Sequence, residues 1–158
     1  MVAAAGVDAA VCWDLYGGAG VFAAALLDGQ DSEAAAGGAG TVHVVDADAG
    51  AIAAARETFA GDDRVVLHHG DVARQVPDLP SPDVVVLDPP RTGAGPGVIA
   101  GVAAAAPGLI VHIGCDAGRL ARDLARYAEA GYRVADLRAF DAFGLTHHVE
   151  AIAALVPA

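Results

Sequence analysis

The 158-residue sequence contains no lysine, so its positive charge comes from nine arginines, set against 20 acidic residues for a net charge of −11. A field of this sign repels nucleic acid, because contacts to phosphate supply most of the non-specific affinity. Binding of RNA would therefore need a local arginine patch or a separate basic domain. Arg119, Arg122 and Arg126 form the best candidate patch, although such a stripe is more often a solvated helix face.

Cysteine is also scarce. Cys12 and Cys115 fall in or beside predicted strands, which is unlike a disulfide framework and favours a reducing compartment. No positively charged start precedes an apolar core at the N-terminus, so we expect no signal peptide and a cytoplasmic protein. The longest apolar stretch, residues 98–113, is broken by glycine and proline, which argues against a membrane span or a membrane partner.

What the sequence does have is an alternation of apolar strands and helices. Strands are predicted at residues 9–15, 41–45, 64–67, 83–87, 109–113, 132–140 and 147–155. Helices are predicted at residues 21–27, 51–59 and 98–106, and another directly after residues 114–116. This pattern predicts one α/β domain over residues 1–158, with a Rossmann-like, mostly parallel twisted sheet and helices on both faces. Because only a short loop separates the last two strands, they should form an antiparallel hairpin at one edge.

A glycine-rich turn follows the first strand. Residues 18–23, Gly-Ala-Gly-Val-Phe-Ala, match the G-x-G-x-x-A spacing that lets a backbone approach a ligand closely. The spacing alone is weak evidence and also fits a dinucleotide-binding fold. Asp14, at the end of the first strand, would face the same pocket or would cap the turn.

Acidic residues also end the second and third strands. A carboxylate at Asp46 can accept bonds from both hydroxyls of a ribose, and Asp71 could meet an adenine amino group. Each of them alone would also suit a helix cap. Together with Asp14, they place three acids on one rim of the sheet, which fits a nucleoside-containing cofactor.

Residues 88–91, Asp-Pro-Pro-Arg, close the fourth strand. Two prolines fix the backbone and remove two amide donors, so Asp88 and neighbouring carbonyls can face a substrate. We have no reason to expect this segment in a nicotinamide enzyme. It is expected in an adenosylmethionine-dependent methyltransferase that modifies a planar nitrogenous base.

Cys115 lies where the fifth strand ends and a helix begins, which is where open α/β sheets bind ligands. Helix amides at this position favour an anion and so a reactive thiolate, whereas a buried small apolar residue is the alternative. At the last strand, His148 and Glu150 share one face by two-residue alternation. Two adjacent histidines and one acid make a poor metal site, so no metal is predicted and Glu150 is interpreted as a general base.

Taken together, four segments resemble the RNA uracil-5 methyltransferase family, whose members modify ribosomal or transfer RNA. They are residues 14–20 (DLYGGAG), 87–93 (LDPPRTG), 114–123 (GCDAGRLARD) and 140–150 (FDAFGLTHHVE). The resemblance runs over essentially the whole chain in the right order. It implies a class I enzyme that uses S-adenosyl-L-methionine to make 5-methyluridine in rRNA or tRNA.

The resemblance also implies roles for individual residues. Cys115 would be the nucleophile that adds to carbon 6 of uracil, Glu150 the base that removes the carbon 5 proton, and Asp88 a contact to the uracil. Covalent activation is needed because carbon 5 is a poor nucleophile, and the base must be flipped out of its stack. The residues that would hold the cofactor are Asp14, Tyr16, Gly18, Gly20, Asp46, Asp71 and Asp88.

The chain departs from the family in several places. The family commonly has cysteine in place of Gly17, proline in place of Gly144, and Ser-Cys-Asp-Pro in place of residues 114–117. Its members usually carry an N-terminal RNA-binding barrel, so this chain corresponds to the catalytic domain alone, with the RNA-binding region or a partner chain supplied elsewhere. Two alternatives remain: a non-catalytic module that binds adenosylmethionine, and another Rossmann-like enzyme such as an amino-group methyltransferase or a nicotinamide oxidoreductase.

Overall fold

The computed structural model describes residues 10–30, 40–141 and 149–158. The strands are β1 (Val11–Leu15), β2 (Thr41–Asp46), β3 (Val65–His69), β4 (Val84–Leu87), β5 (Leu109–Gly114), β6 (Tyr132–Phe140) and β7 (Glu150–Pro157). The helices are α1 (Val21–Gln30), α2 (Ala49–Thr58), α3 (Val72–Gln75), α4 (Gly95–Ala104) and α5 (Ala117–Glu129), and a 3₁₀ turn covers Val76–Asp78.

The seven strands form one sheet in the order β3-β2-β1-β4-β5-β7-β6. The first five strands are parallel, whereas β7 runs antiparallel between β5 and β6. The predicted Rossmann-like topology is confirmed, and so is the antiparallel pairing of the last two strands, with β6 at the edge. A register shift between Val134 and Asp136 interrupts that last pairing.

The helices cover the two faces of the sheet, as predicted. Side chains of α3, α4 and α5 pack on one face, in a cluster centred on Trp13, Leu87 and Ile110. Side chains of α1, and Phe59 just after α2, pack on the other face against Cys12 and its neighbours. Burial on both faces explains why the central strands are continuous apolar runs rather than alternating ones.

The boundaries differ from the predicted ones in ways that follow from local chemistry. Helix α4 begins at Gly95, three residues before the predicted start, because Pro96 in its first turn fits a helix start. Strand β3 extends to His69, and α3 was not predicted. Strand β7 is described from Glu150 onward, while His147, His148 and the rest of residues 142–148 lie outside the described residues.

None of the helices in the described segments is long and apolar enough to cross a membrane.

Candidate active site

The carboxyl ends of the parallel strands bring most of the candidate residues to one edge of the sheet. Leu15 of β1 pairs with Val45 of β2 and with Leu87 of β4. The residues that come next on these three strands therefore lie side by side. They are Tyr16, Asp46 and Asp88.

The predicted nucleophile and base meet at the end of an antiparallel strand pair. Gly114 of β5 pairs with Ala151 of β7, so Cys115 follows one partner and Glu150 precedes the other. Neighbouring strands lie about 4.8 Å apart, which puts these two residues at one end of adjoining strands. Asp88 is exposed as a residue, but partial burial of its carboxyl and, after that, the charge of Glu150 raise its pKa. The structure thus brings all three predicted catalytic residues together.

The glycine turn after β1 is packed tightly on one side and open on the other. A Cβ atom at Gly17 would lie 2.7 Å from Val44 and 2.8 Å from the Asp14 carboxyl carbon, so the family's cysteine would not fit this turn unchanged. Gly20 has φ +88, and a Cβ there would collide with the ring of Phe59. Gly18 has φ +57 and nothing within 4 Å of an added Cβ, so its surface is free to meet a ligand.

Asp14, near the end of β1, bonds to the helix that follows this turn. Its side chain is fully buried, and Oδ2 accepts the N–H of Ala23, in the first turn of α1, at 2.9 Å. Its Oδ1 is buried and has no hydrogen-bond partner within the described residues. Burial raises the pKa of Asp14 to about 7, against the opposing Ala23 bond and with smaller contributions from the charges of Asp88 and Asp46. The bond to Ala23 is the one expected if Asp14 caps the turn, and contact between Asp14 and a cofactor stays a prediction.

Asp46 joins the end of β2 to the glycine turn. Its Oδ2 accepts the Gly18 N–H at 2.8 Å, and its Oδ1 accepts the Asp48 N–H at 2.8 Å. The cap of α2 is instead Asp48, whose side chain accepts the Ala51 N–H, so Asp46 is not a helix cap. Each carboxylate oxygen has a second lone pair, which leaves Asp46 able to accept bonds from a ribose.

Asp71 and Tyr16 have further structural partners. Asp71 is the cap of the short helix α3, where its Oδ1 accepts the Arg74 N–H at 3.2 Å. Tyr16 has φ 60, an unusual value for a residue other than glycine, and its hydroxyl lies 3.5 Å from the carbonyl oxygen of Ala94. Burial, and then the charges of Asp71 and Asp123, raise the pKa of Tyr16 to about 12.

A narrow crevice of about 10 Å³, the room that one water molecule needs, opens beside half-buried Cys115. Its lining residues include Pro89, Pro90, Arg91, Gly93, His112, Arg119 and Asp123. The buried His112 and Asp123 were not singled out from the sequence. The signal for Asp123 was available, because this acid sits between Leu120 and Tyr127 in the apolar stripe of α5.

The three arginines expected to form a stripe on α5 have different surroundings. Arg119 lines the Cys115 crevice, together with Arg91 from the loop after β4. Arg122 donates to the carbonyl of Gly118, and Arg126 forms an ion pair with Asp123 at 2.8 Å. Only part of the stripe is therefore available to an anion.

The start of α5 is capped by the residue after Cys115. Asp116 accepts the Arg119 N–H at 2.8 Å, so one of the amides expected to favour an anion at Cys115 is already bonded. No group of three or more potential metal-ligating side chains occurs within residues 10–30, 40–141 and 149–158.

Strand order, glycine turn and inserted antiparallel β7 together define a Rossmann-like methyltransferase fold. No protein-family model matches the chain. It is similar to the structure of a tRNA (uracil-54, C5)-methyltransferase from Pyrococcus abyssi in complex with S-adenosyl-L-homocysteine, with a TM-score of 0.76 and 27% identity. The match covers 92% of this chain and 34% of that one.

Two bacterial relatives carry the name of uncharacterized RNA methyltransferases. The one from Corynebacterium diphtheriae is 41% identical over 148 residues, which are 92% of this chain and 34% of that protein. The one from Corynebacterium glutamicum is 44% identical over 146 residues, 92% of this chain and 33% of that protein. The chain therefore spans about a third of the length of the curated relatives that it matches, and it is homologous to that part of them.

Proposed function

We propose that this chain is the catalytic domain of an adenosylmethionine-dependent RNA methyltransferase, which makes 5-methyluridine through a covalent bond from Cys115 to carbon 6 of uracil. The observation that carries the proposal is the meeting of Asp88, Cys115 and Glu150 on three neighbouring strands. The Pyrococcus abyssi enzyme, whose name specifies carbon 5 of a uracil, supports the proposal through similarity over most of this chain.

The edge formed by β1 and β2 fits the adenosylmethionine that this reaction needs. Gly18 leaves open space where a side chain would stand, and the neighbouring Asp46 carboxylate can still accept hydrogen bonds from a ribose. Asp14 holds the turn in place from beneath, and Tyr16 and Asp71 flank it. When bound, adenosylmethionine supplies an electrophilic methyl group on a positively charged sulfur.

The chain's own residues account for the other steps. The Cys115 thiolate forms a bond to carbon 6, and the electron pair of the C5–C6 double bond moves onto carbon 5 and the adjoining carbonyl. After carbon 5 has taken the methyl group, Glu150 removes its proton. The electron pair of the broken C5–H bond restores the C5–C6 double bond, and the bond from carbon 6 to the Cys115 sulfur breaks to release the thiolate. Asp88, on the strand next to Cys115, orients the uracil.

This chain offers few groups that could bind the RNA backbone. Its net charge of −11 opposes binding of phosphates, and Arg91 and Arg119 are the arginines that line the Cys115 crevice. We infer that these two contact the RNA backbone near the target uridine. The remaining affinity for RNA would come from further sequence, such as that which adjoins the matching segment in the longer relatives.

The test is to trap the covalent intermediate. Glu150→Gln should accumulate an adduct between protein and RNA that survives denaturation when the protein, with any sequence adjoining it in its gene, is mixed with adenosylmethionine and bulk tRNA and rRNA. The adduct should disappear in the double variant with Cys115→Ala. Glu129→Gln, which changes an exposed acid on α5, is the matched control and should turn over without trapping.

Other outcomes would favour the alternatives. Methyl transfer that persists in Cys115→Ala, or a product methylated on an amino group, would point to a different Rossmann-like methyltransferase. Calorimetric binding of adenosylmethionine without transfer to any RNA would identify a non-catalytic module.

A further inference from the structure

A buried carboxylate lies behind Cys115, on the helix that starts there. Asp123 is 2% exposed. Its Oδ2 accepts the Ala94 N–H at 2.9 Å, and its Oδ1 accepts a bond from Arg126 at 2.8 Å. Both oxygens thus accept a hydrogen bond, as a buried carboxylate requires. The contact to Ala94 joins α5 to the loop that carries Asp88.

Gly93 shows how closely this loop approaches the carboxylate. It has φ +85, and a Cβ atom there would lie 2.7 Å from Oδ2 of Asp123. Its N–H also closes a turn onto the carbonyl of Pro90 at 2.8 Å. Two prolines, one turn and one buried acceptor therefore fix the path of the chain from Asp88 to Ala94.

The same backbone unit also faces the glycine turn. The Tyr16 hydroxyl lies 3.5 Å from the carbonyl of Ala94, at the limit of a hydrogen bond. With its pKa raised to about 12 by burial and nearby acids, this hydroxyl stays protonated and able to donate. Ala94 thus connects the turn after β1, the loop after β4 and helix α5.

We propose that Asp123 is a positioning residue, which holds the Asp88 loop against the start of α5 and so sets the distance between Asp88 and the Cys115 thiol. Asp88 is exposed and Cys115 only half-buried, so their own packing does not fix that distance. Misplacing reacting groups by about 1 Å can cost about a hundredfold in rate. This proposal rests on the proposed function, since it gives that distance a catalytic meaning.

Asp123→Asn tests the proposal with almost no change of shape. Its amide nitrogen must face either the Ala94 N–H or Arg126, and both of these are donors. We expect the single-turnover rate of methyl transfer to fall at least tenfold and the Ala94 amide to exchange with solvent at least tenfold faster. The dissociation constant for S-adenosyl-L-homocysteine should rise by less than the transfer rate falls, because Tyr16 and Asp88 adjoin the displaced loop whereas the bond from Gly18 to Asp46 does not depend on it.

Controls separate positioning from a general loss of stability. Asp136→Asn removes an acid that pairs with exposed Arg138 on β6 and should change neither rate. If Asp123→Asn does not fold, Gly93→Ala disturbs the same contact from the loop side and should give the same two effects. A purely structural role would lower the melting temperature while leaving the transfer rate per folded molecule at the wild-type value, and that result would overturn the proposal.

The two proposals fail in different ways. If the wild-type protein transfers no methyl group, the proposed function fails, and Ala94 exchange, which needs neither cofactor nor RNA, still decides whether Asp123 holds the loop. Exchange that does not rise in Asp123→Asn overturns that role whatever the activity.

Discussion

Replacing Asp14 by asparagine should make the protein more stable at alkaline pH and change little at acidic pH. Burial raises the pKa of Asp14 from its ordinary 3.8 to about 7 in the folded state. Between these values the unfolded chain has lost the proton and the folded chain keeps it, so the stability of the wild type falls as pH rises. One pH unit corresponds to about 1.4 kcal/mol, so Asp14 costs the wild type about 3 kcal/mol between pH 5 and pH 8.

Asparagine cannot ionise, and it resembles the protonated acid. Its oxygen can accept the Ala23 N–H, and its amide group takes the place of the unpartnered Oδ1. Urea unfolding, followed by the fluorescence of the buried Trp13, should show the variant gaining about 3 kcal/mol over the wild type from pH 5 to pH 8. Titration of other residues cancels in this difference.

Asp28→Asn, which changes an exposed acid on α1, the helix whose Ala23 amide bonds to Asp14, controls for the loss of one charge. The reasoning is refuted if the difference between Asp14→Asn and wild type is the same at both pH values, since Asp14 would then be ionised in the folded protein.

Three further predictions concern single side chains. Gly20→Ala should cost about 2 kcal/mol or more in urea unfolding, because φ +88 disfavours a side chain and Phe59 fills the space; wild-type stability would contradict this. Tyr127→Phe should be neutral or stabilising by up to about 1 kcal/mol, because its buried hydroxyl has no hydrogen-bond partner in the part of the chain that the structure describes; a clear loss of stability would contradict this. Burial lowers the pKa of His112 from 6.5 to about 4, against the opposing charge of Asp123. Between these values only the unfolded chain binds the proton, so stability should fall as pH drops from about 6.5 towards 4, and NMR should show a neutral His112 ring down to about pH 5.

Much of the fold could be predicted from hydrophobic patterning. Strand β6 was predicted with the bounds that the structure has, Tyr132–Phe140, and the parallel direction of the first five strands follows from their alternation with helices. The order of the strands in the sheet was not predicted. The edges of elements were harder to predict. Helix α1 runs to Gln30, three residues past the prediction, because the added residues Asp28, Gly29 and Gln30 are not apolar and so carry no periodicity that could mark where the helix ends.

The site could be predicted only as far as strand ends reveal it. Asp46, Asp88 and Cys115 were predicted as site residues because the carboxyl ends of parallel strands meet at one edge, and the structure places them at that edge. Which acid is buried and which is free depends on packing across the sheet. The sequence could therefore offer a cap at Asp14 only as one of two alternatives, and it could place Asp123 in the apolar stripe of α5 without showing its bond to Ala94. The cap of α2 is Asp48 rather than Asp46, a two-residue difference that spacing alone does not resolve.

The arrangement of charge bears on the choice between a methyltransferase and a nicotinamide enzyme. In a dinucleotide-binding fold the pyrophosphate lies against amides at the start of the first helix. Here an amide in the first turn of α1 is already bonded to the Asp14 carboxyl, and Asp46 accepts the Gly18 N–H beside it. Two amides that a pyrophosphate could use are therefore already bonded, whereas a cofactor with a cationic sulfonium and no phosphate needs neither of them. Asp46 itself would suit the ribose of either cofactor, so it is the engaged amides that favour the methyltransferase over the nicotinamide enzyme.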